Sequence, residues 1–327
     1  MGGGWRVATR RSYGEHLSDR LCPFDLGGGL RLGDVRVRDL HGGHVEALVT
    51  GLRNGGYAPD TVRSVHRLFV TLLNRAVARG LLGRHPLDAE LRKELAKHMK
   101  ATKPPVKAFT EEQARRFLTV AREKSRLYPL YLTGFLAGLR LGELCGLQLD
   151  DDRWDLVNGE RRRQLHVDRS LSQLCSARNP EPGPTKSGKT RTVNVANELG
   201  TLFDRIKTER PKQAMARGWR PVPPWMFVTP SNGTPFNQTN IYKDFMRMLD
   251  VAGFKEGSGF SPHSMRHSFA CWHIARGCNV KWLQQQMGHA SITVTLDVYG
   301  DWFKLQDHAA ADALGAELVG NNLGNRA

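Results

Sequence analysis

SPHSMRHSFACWHIARGCNVKWLQQQMGHASITVTLDVY, residues 261–299, carries four polar residues whose kinds and order suggest chemistry at a phosphate: His263, Arg266, His289 and Tyr299. Ser261 and Pro262 form a helix start, a capping oxygen followed by a ring that suits the first helical position. His263 and Arg266 lie three residues apart, on one helix face, and so reach the same target. The free N–H groups and partial positive charge of a helix N-terminus also favour an anion there. Each feature alone has an ordinary reading. A His-x-x-Arg is common, His289 behind Gly288 suits a turn, and Tyr299 among apolar residues suits a core. The weight rests on the combination: His-x-x-Arg, then Met-Gly-His, then Leu-Asp-Val-Tyr ending ten residues beyond His289.

That combination closely resembles the C-terminal signature of tyrosine recombinases of the phage integrase family, and the resemblance implies a matching arginine and lysine upstream. The stretch YPLYLTGFLAGLRLGELCGLQLDD, residues 128–151, answers the first expectation. Gly134, Gly138, Gly142 and Gly146 recur every fourth residue, and the pattern reads as a helix ending near Gly138, a turn, and a second helix from Leu141. Arg140 then sits at a break where its side chain faces a cleft, with Glu143 one turn on to hold the guanidinium. Ala-Gly-Leu-Arg-x-Gly-Glu-Leu is also the family's site for its first catalytic arginine. TKSGKTRTV, residues 185–193, resembles the family hairpin bearing a catalytic lysine; the match favours Lys186, with Lys189 the alternative.

Composition agrees. With 327 residues and a net charge of +16, the chain has room for two domains and points to a polyanionic partner, nucleic acid before an anionic membrane surface. No apolar run reaches the ~20 residues of a membrane span, and MGGGWRVATRR lacks the apolar core of a signal peptide. Five scattered cysteines without a C-x-x-C read as reduced thiols of a cytoplasmic protein, and no metal site is expected.

The expected fold is mainly α with a small antiparallel β-sheet (α+β). A helical core DNA-binding domain spans 1–102, a basic linker 103–108, a catalytic domain 109–301, and a tail 302–327, which the resemblance makes a subunit-docking segment. In the first domain, Gly27–Gly29 reads as a flexible loop. Short and long helices follow at 41–51 and 61–79, the latter with an apolar face at Val62, Val65, Phe69, Leu72, Leu73 and Ala76. Arg63 and Arg67 on that helix, Lys103 and Lys107 in the linker, and Lys189 are candidate DNA-backbone contacts. Thr110-Glu111-Glu112-Gln113 is a capping box. Asn158-Gly159 turns a hairpin, Arg191–Val195 alternates as a strand, and helices are expected over 196–212 and 237–251.

The resemblance also implies roles. Tyr299 is the nucleophile that forms a 3′-phosphotyrosyl link. Arg140, Arg266 and His289 hold the phosphate, and Lys186 protonates the 5′-oxygen. His263 assists proton transfer from the tyrosine, and the family pattern ranks it above its neighbour His267. No cofactor, ATP or metal is required. The partners implied are double-stranded DNA at attachment or core sites, a homotetramer of the chain, and accessory DNA-bending proteins, in the cytoplasm with the nucleoid. Met265 and Met287 stand where leucines are usual. About ten residues precede the core-binding unit, so the chain either recognises core sites only or begins short of an arm-binding domain. Two other readings stand beside recombination: a type IB topoisomerase-like strand transferase, and a DNA-binding relative without cleavage.

Overall fold

The computed structural model describes residues 7–100, 106–172, 180–186 and 188–302. Lys103, the first half of the linker and the tail beyond Trp302 lie outside the described residues. The chain divides into two units, Met1–Pro105 and Val106–Ala327.

The first unit is helical: α1 Val7–His16, α2 Gly42–Asn54, α3 Pro59–Ala78 and α4 Ala89–His98. The apolar positions of α3 recur at helical spacing, and Val62, Val65, Phe69, Leu73 and Ala76 are buried in one cluster with Val45, Leu48 and Val49 of α2. Pro59 occupies the first turn of α3, which starts the helix two residues before its expected start at Thr61. Asp88 caps α4 by accepting the Leu91 N–H at 2.8 Å. One expectation needs correction. Gly27–Gly29 is a bonded turn, not a loose loop: Leu26 and Leu30 pair at 2.8 Å, Asp25 accepts the Gly27 N–H, and all three glycines have positive φ.

The second unit packs helices around a small sheet. α5 Glu111–Lys124, α6 Tyr128–Ala137 and α7 Leu141–Gly146 come first. Thr110 and Gln113 close the capping box of α5 at 3.1 and 2.9 Å. Strands β1 Asp152–Val157, β2 Glu160–Val167, β3 Arg169–Ser170, β4 Gly183–Pro184 and β5 Arg191–Asn194 follow. Among the described residues they form a three-stranded antiparallel sheet, β1-β2-β5, and a ribbon, β3-β4. Asn158 and Gly159, both at positive φ, make the tight turn that sets Val157 opposite Glu160.

Then come α8 Asn197–Arg217, α9 Gln238–Val251, α10 Pro262–Ala275, α11 Val280–Met287 and α12 Ile292–Tyr299. Helix α8 runs through Pro211, passes the expected end at Lys212 and continues to Arg217. The buried Arg210 guanidinium donates to the carbonyls of Trp225 and Met226, which fastens this last stretch to the chain beyond it. The core joins α5, α6, α9 and α10, with Phe109 at its centre. Helices α6 and α10 approach closely because α6 carries Gly134 where a Cβ would stand 2.9 Å from Met265, and ends at Gly138 with no side chain against Phe269. Among the described residues no helix is long and apolar enough to cross a membrane.

Candidate active site

Gly138 closes α6 in the left-handed conformation, and Arg140 becomes the N-cap of α7. Glu143 accepts the Arg140 backbone N–H at 2.9 Å through Oε2 and the Arg140 Nη1 at 2.9 Å through Oε1. Arg140 Nη2 donates to the carbonyl of Gly288 at 3.0 Å. Arg266, on α10 and only 2% exposed, donates to the Gly138 carbonyl at 2.7 Å and the Met287 carbonyl at 2.6 Å. Arg191, on β5, donates through Nε to the Gln286 carbonyl at 2.9 Å and through both Nη atoms to Glu143. Three guanidiniums therefore sit on three consecutive carbonyls at the C-terminus of α11, the negative end of its dipole. Gly288 permits this, since a Cβ there would stand 2.8 Å from Arg191 Cδ.

One carboxylate faces these three cations. Burial pushes the Glu143 pKa up, but the hydrogen bonds and charges of Arg191 and Arg140 outweigh it and hold the group at about 2. Burial and the charge of Arg140 lower Arg266 to about 9, so it stays protonated at neutral pH. Net positive charge remains for an incoming anion. Among the described residues, Arg140 and Arg266 each engage two of five N–H donors and keep three.

Three histidines and a tyrosine complete the cluster. His289 follows the left-handed Gly288, its carbonyl held by Gln284 Nε2 at 2.6 Å. Its Nδ1 pairs with the buried hydroxyl of Thr295 at 2.9 Å, leaving Nε2 as the outward nitrogen. Burial and the charges of Arg266, Arg140 and Arg191 lower its pKa to about 3. Tyr299, at the end of α12, is buried, and its hydroxyl lies 2.8 Å from His267 Nδ1. Burial raises the phenol pKa, against the opposing charges of Arg266 and Arg140. His263 packs edge-on against His267, ring centres 4.5 Å apart. Burial, then the charges of His267, Arg266, Arg140 and Lys186, lower His263 to about 4.

The structure thus brings Arg140, Glu143, Arg266, His263, His289 and Tyr299 together. Lys186 is exposed on the turn after β4, near enough for its charge to bear on His263. Lys189 is also exposed and lines a hollow with Arg191, Gly288 and His289. The imidazole on the tyrosine is that of His267, which the sequence pattern ranks second, and not that of His263. Among the DNA-contact candidates, Arg67 and Lys107 are exposed, whereas Arg63 is held by Asp60 at 2.5 Å and the Met99 carbonyl at 2.6 Å. Arg191 and Thr295 were not singled out in the sequence. Arg191 has one local signal: it shares the inward face of β5 with the buried Val193, where an arginine needs a partner.

A family model described as the phage integrase family matches residues 107–304. A XerC-like tyrosine recombinase of Caldanaerobacter subterraneus subsp. tengcongensis is 23% identical over 320 residues, covering 94% of this chain and 78% of that protein. The transposase of transposon Tn916 from Enterococcus faecalis is 27% identical over 276 residues, 82% of this chain and 63% of that protein. The Tn1549 transposon integrase, solved in complex with a circular intermediate DNA, superposes with a TM-score of 0.73 at 19% identity, over 96% of this chain and 95% of that one. A lambda integrase dimer bound to a core site gives 0.58 at 17% identity, over 89% and 91%. At such identities the structural likeness speaks for the fold.

Proposed function

This chain belongs to the phage integrase family and is a tyrosine recombinase that cleaves and rejoins DNA; we propose that Tyr299 is its nucleophile and that Arg140, Arg266 and His289 form the phosphate cradle. The observation that carries the assignment is the placement of the Tyr299 hydroxyl in one cluster with two buried or half-buried guanidiniums and a neutral imidazole. In this reading the Tyr299 oxygen bonds to phosphorus, the bond to the 5′-oxygen breaks, and the DNA 3′-end is left as a phosphotyrosine. Arg140 and Arg266 present their remaining N–H groups to the non-bridging oxygens as charge builds on them. His289, fixed by Thr295, adds a donor from Nε2. Lys186 gives the leaving 5′-oxygen its proton, and the charges of that lysine and of both arginines bear on His263.

Attack by the 5′-hydroxyl of another strand reverses the step and exchanges the strands, with the bond energy kept in the phosphotyrosine. The substrate is double-stranded DNA at a specific site, and the working unit is a multimer on DNA, a tetramer when two duplexes exchange. Support comes from relatives whose names include a transposon transposase and from neighbours solved on DNA. Integration or excision of a mobile element follows as the use of the reaction. That the matched relatives are recombinases and transposases over most of this chain speaks against a topoisomerase.

The test uses the full chain with fragmented genomic DNA of its source organism. Covalent adducts are recovered under denaturing conditions, and the attached DNA is sequenced. One recurrent site for the native protein, lost in Tyr299→Phe, is the expected result. DNA retention without any covalent adduct overturns the proposal.

A further inference from the structure

Phosphodiester cleavage by a tyrosine needs an acceptor for the phenolic proton, and the geometry identifies one. His267 Nδ1 lies 2.8 Å from the Tyr299 hydroxyl, with ring centres 5.7 Å apart and the planes at 65°. We propose that His267 is a catalytic residue, the base that takes the phenol proton as Tyr299 attacks phosphorus. The inference rests on the reading of Tyr299 as nucleophile.

The direction of the hydrogen bond follows from the groups themselves. A neutral phenol has one hydrogen, and a buried phenol keeps it at neutral pH because burial disfavours the phenolate. The bond then makes Nδ1 the bare nitrogen and puts the ring hydrogen on Nε2. His267 is neutral in the unbound site, since burial and the charge of Arg266 lower its pKa to about 4. The groups facing it are Tyr299 from α12, and His263 and Arg266 from its own helix. A scissile phosphate bound by Arg266 and Arg140 offsets the positive charge that depresses His267, so the base strengthens when substrate arrives. His263 sits one helical turn earlier on α10 and packs against His267; among the described residues it makes no hydrogen bond to Tyr299.

The step balances. The Tyr299 oxygen–phosphorus bond forms, its proton moves to His267 Nδ1, and the bond to the 5′-oxygen breaks with its electron pair. Lys186 protonates that oxygen. In rejoining, an incoming 5′-hydroxyl gives its proton to the neutral lysine and attacks phosphorus. Tyr299 then leaves and recovers its proton from the His267 imidazolium.

The test is single-turnover cleavage of a nicked suicide duplex built on the site recovered above, at saturating full-length protein. His267→Asn keeps a hydrogen-bonding atom near the Nδ1 position but cannot take up a proton. It is expected to slow adduct formation by about 10²- to 10⁴-fold, the range of general acid–base catalysis. Replacing Tyr299 by a ring-fluorinated tyrosine, whose phenol is more acidic, is expected to shrink that deficit by on the order of tenfold. That comparison is made within each protein, so a folding defect cancels. A His267→Asn rate within about tenfold of native, the most that one lost hydrogen bond accounts for, overturns the inference. So does a deficit of equal size with ordinary and fluorinated tyrosine, because His267 would then only position the phenol. Absence of any adduct from the native protein fails the nucleophile reading itself, and the base with it.

Discussion

Arg191 and Glu143 meet as a two-pronged pair, Nη1 to Oε1 at 3.0 Å and Nη2 to Oε2 at 2.7 Å, with the side chains 9% and 1% exposed. The same carboxylate holds Arg140. Glu143 thereby ties Arg140, the N-cap of α7, to a strand of the sheet, and Arg191 carries the tie on to the end of α11. Parallel fork-to-fork bonds fix orientation as well as distance. The orientation of the Arg140 side chain is thus set by the buried Glu143 and, through it, by Arg191.

Glu143→Gln keeps the shape and removes the charge. Removing one partner of a buried ion pair costs about 3–5 kcal/mol, because the other charge stays buried. The cost should depend on pH. The folded-state pKa of about 2 lies below the ordinary 4.5, so the carboxylate stabilises fully above that ordinary value. Its contribution fades as pH falls from there toward the folded value. Urea unfolding of native and Glu143→Gln protein at neutral, mildly acid and strongly acid pH should show a gap that narrows toward acid. A gap of constant size would show that the charge carries none of the stability.

Thr295→Val removes the hydroxyl that pairs with His289 Nδ1 and keeps the buried branched shape. One net hydrogen bond is worth about 0.5–1.5 kcal/mol, so a looser His289 should slow single-turnover cleavage by roughly threefold to tenfold. Thr295→Ser retains the hydroxyl and should cleave faster than the valine variant. Equal rates for native and Thr295→Val would remove Thr295 from the site.

Much of this site is legible in the chain because its parts are local. Gly138, Arg140 and Glu143 lie within one turn of each other, and a helix break followed by a capping carboxylate is written in six residues. The hairpin at Asn158-Gly159 is equally local. Arg191 is different: its partners are Glu143, 48 residues earlier, and Gln286, 95 residues later. Nothing beside Arg191 announces them. His267 could not be ranked by spacing either, because His263 and His267 lie on adjoining turns of α10. Only the approach of α12 decides which ring meets the phenol. The end of α8 is hidden for the same reason: the helix runs past Lys212 to Arg217, and the buried bonds of Arg210 to the Trp225 and Met226 carbonyls are not announced by the residues around it.

Phe109 should be the costliest small truncation in the second unit. Its ring stacks on Phe260 at 3.9 Å and meets Phe135 and Phe254 edge-on. Its backbone holds α10 from both sides, the N–H bonded to Ser268 Oγ at 2.7 Å and the carbonyl to Trp272 Nε1 at 2.9 Å. Phe109→Ala is expected to cost about 3–5 kcal/mol, seen as a lower urea midpoint with an unchanged slope. Phe109→Leu, which refills much of the volume, should recover more than half of the loss. A midpoint for the alanine variant close to native would mean that the ring stack contributes little.

The two lysines of the loop before β5 can be separated by chemistry where sequence register cannot decide. Lys186 bears on His263, whereas Lys189 lies with Arg191, Gly288 and His289. If Lys186 protonates the leaving 5′-oxygen, Lys186→Ala should slow cleavage by about 10²- to 10⁴-fold. Replacing that oxygen by sulfur supplies a leaving group that departs as a thiolate and needs no proton. The sulfur substrate should therefore restore most of the rate to Lys186→Ala. It should do nothing for Arg140→Lys, where the missing part is the guanidinium fork. Lys189→Ala should bind DNA with a weaker salt dependence, as expected for a lost phosphate contact, and cleave both substrates with one common deficit. Rescue of Lys189→Ala and not of Lys186→Ala by sulfur would exchange the two roles.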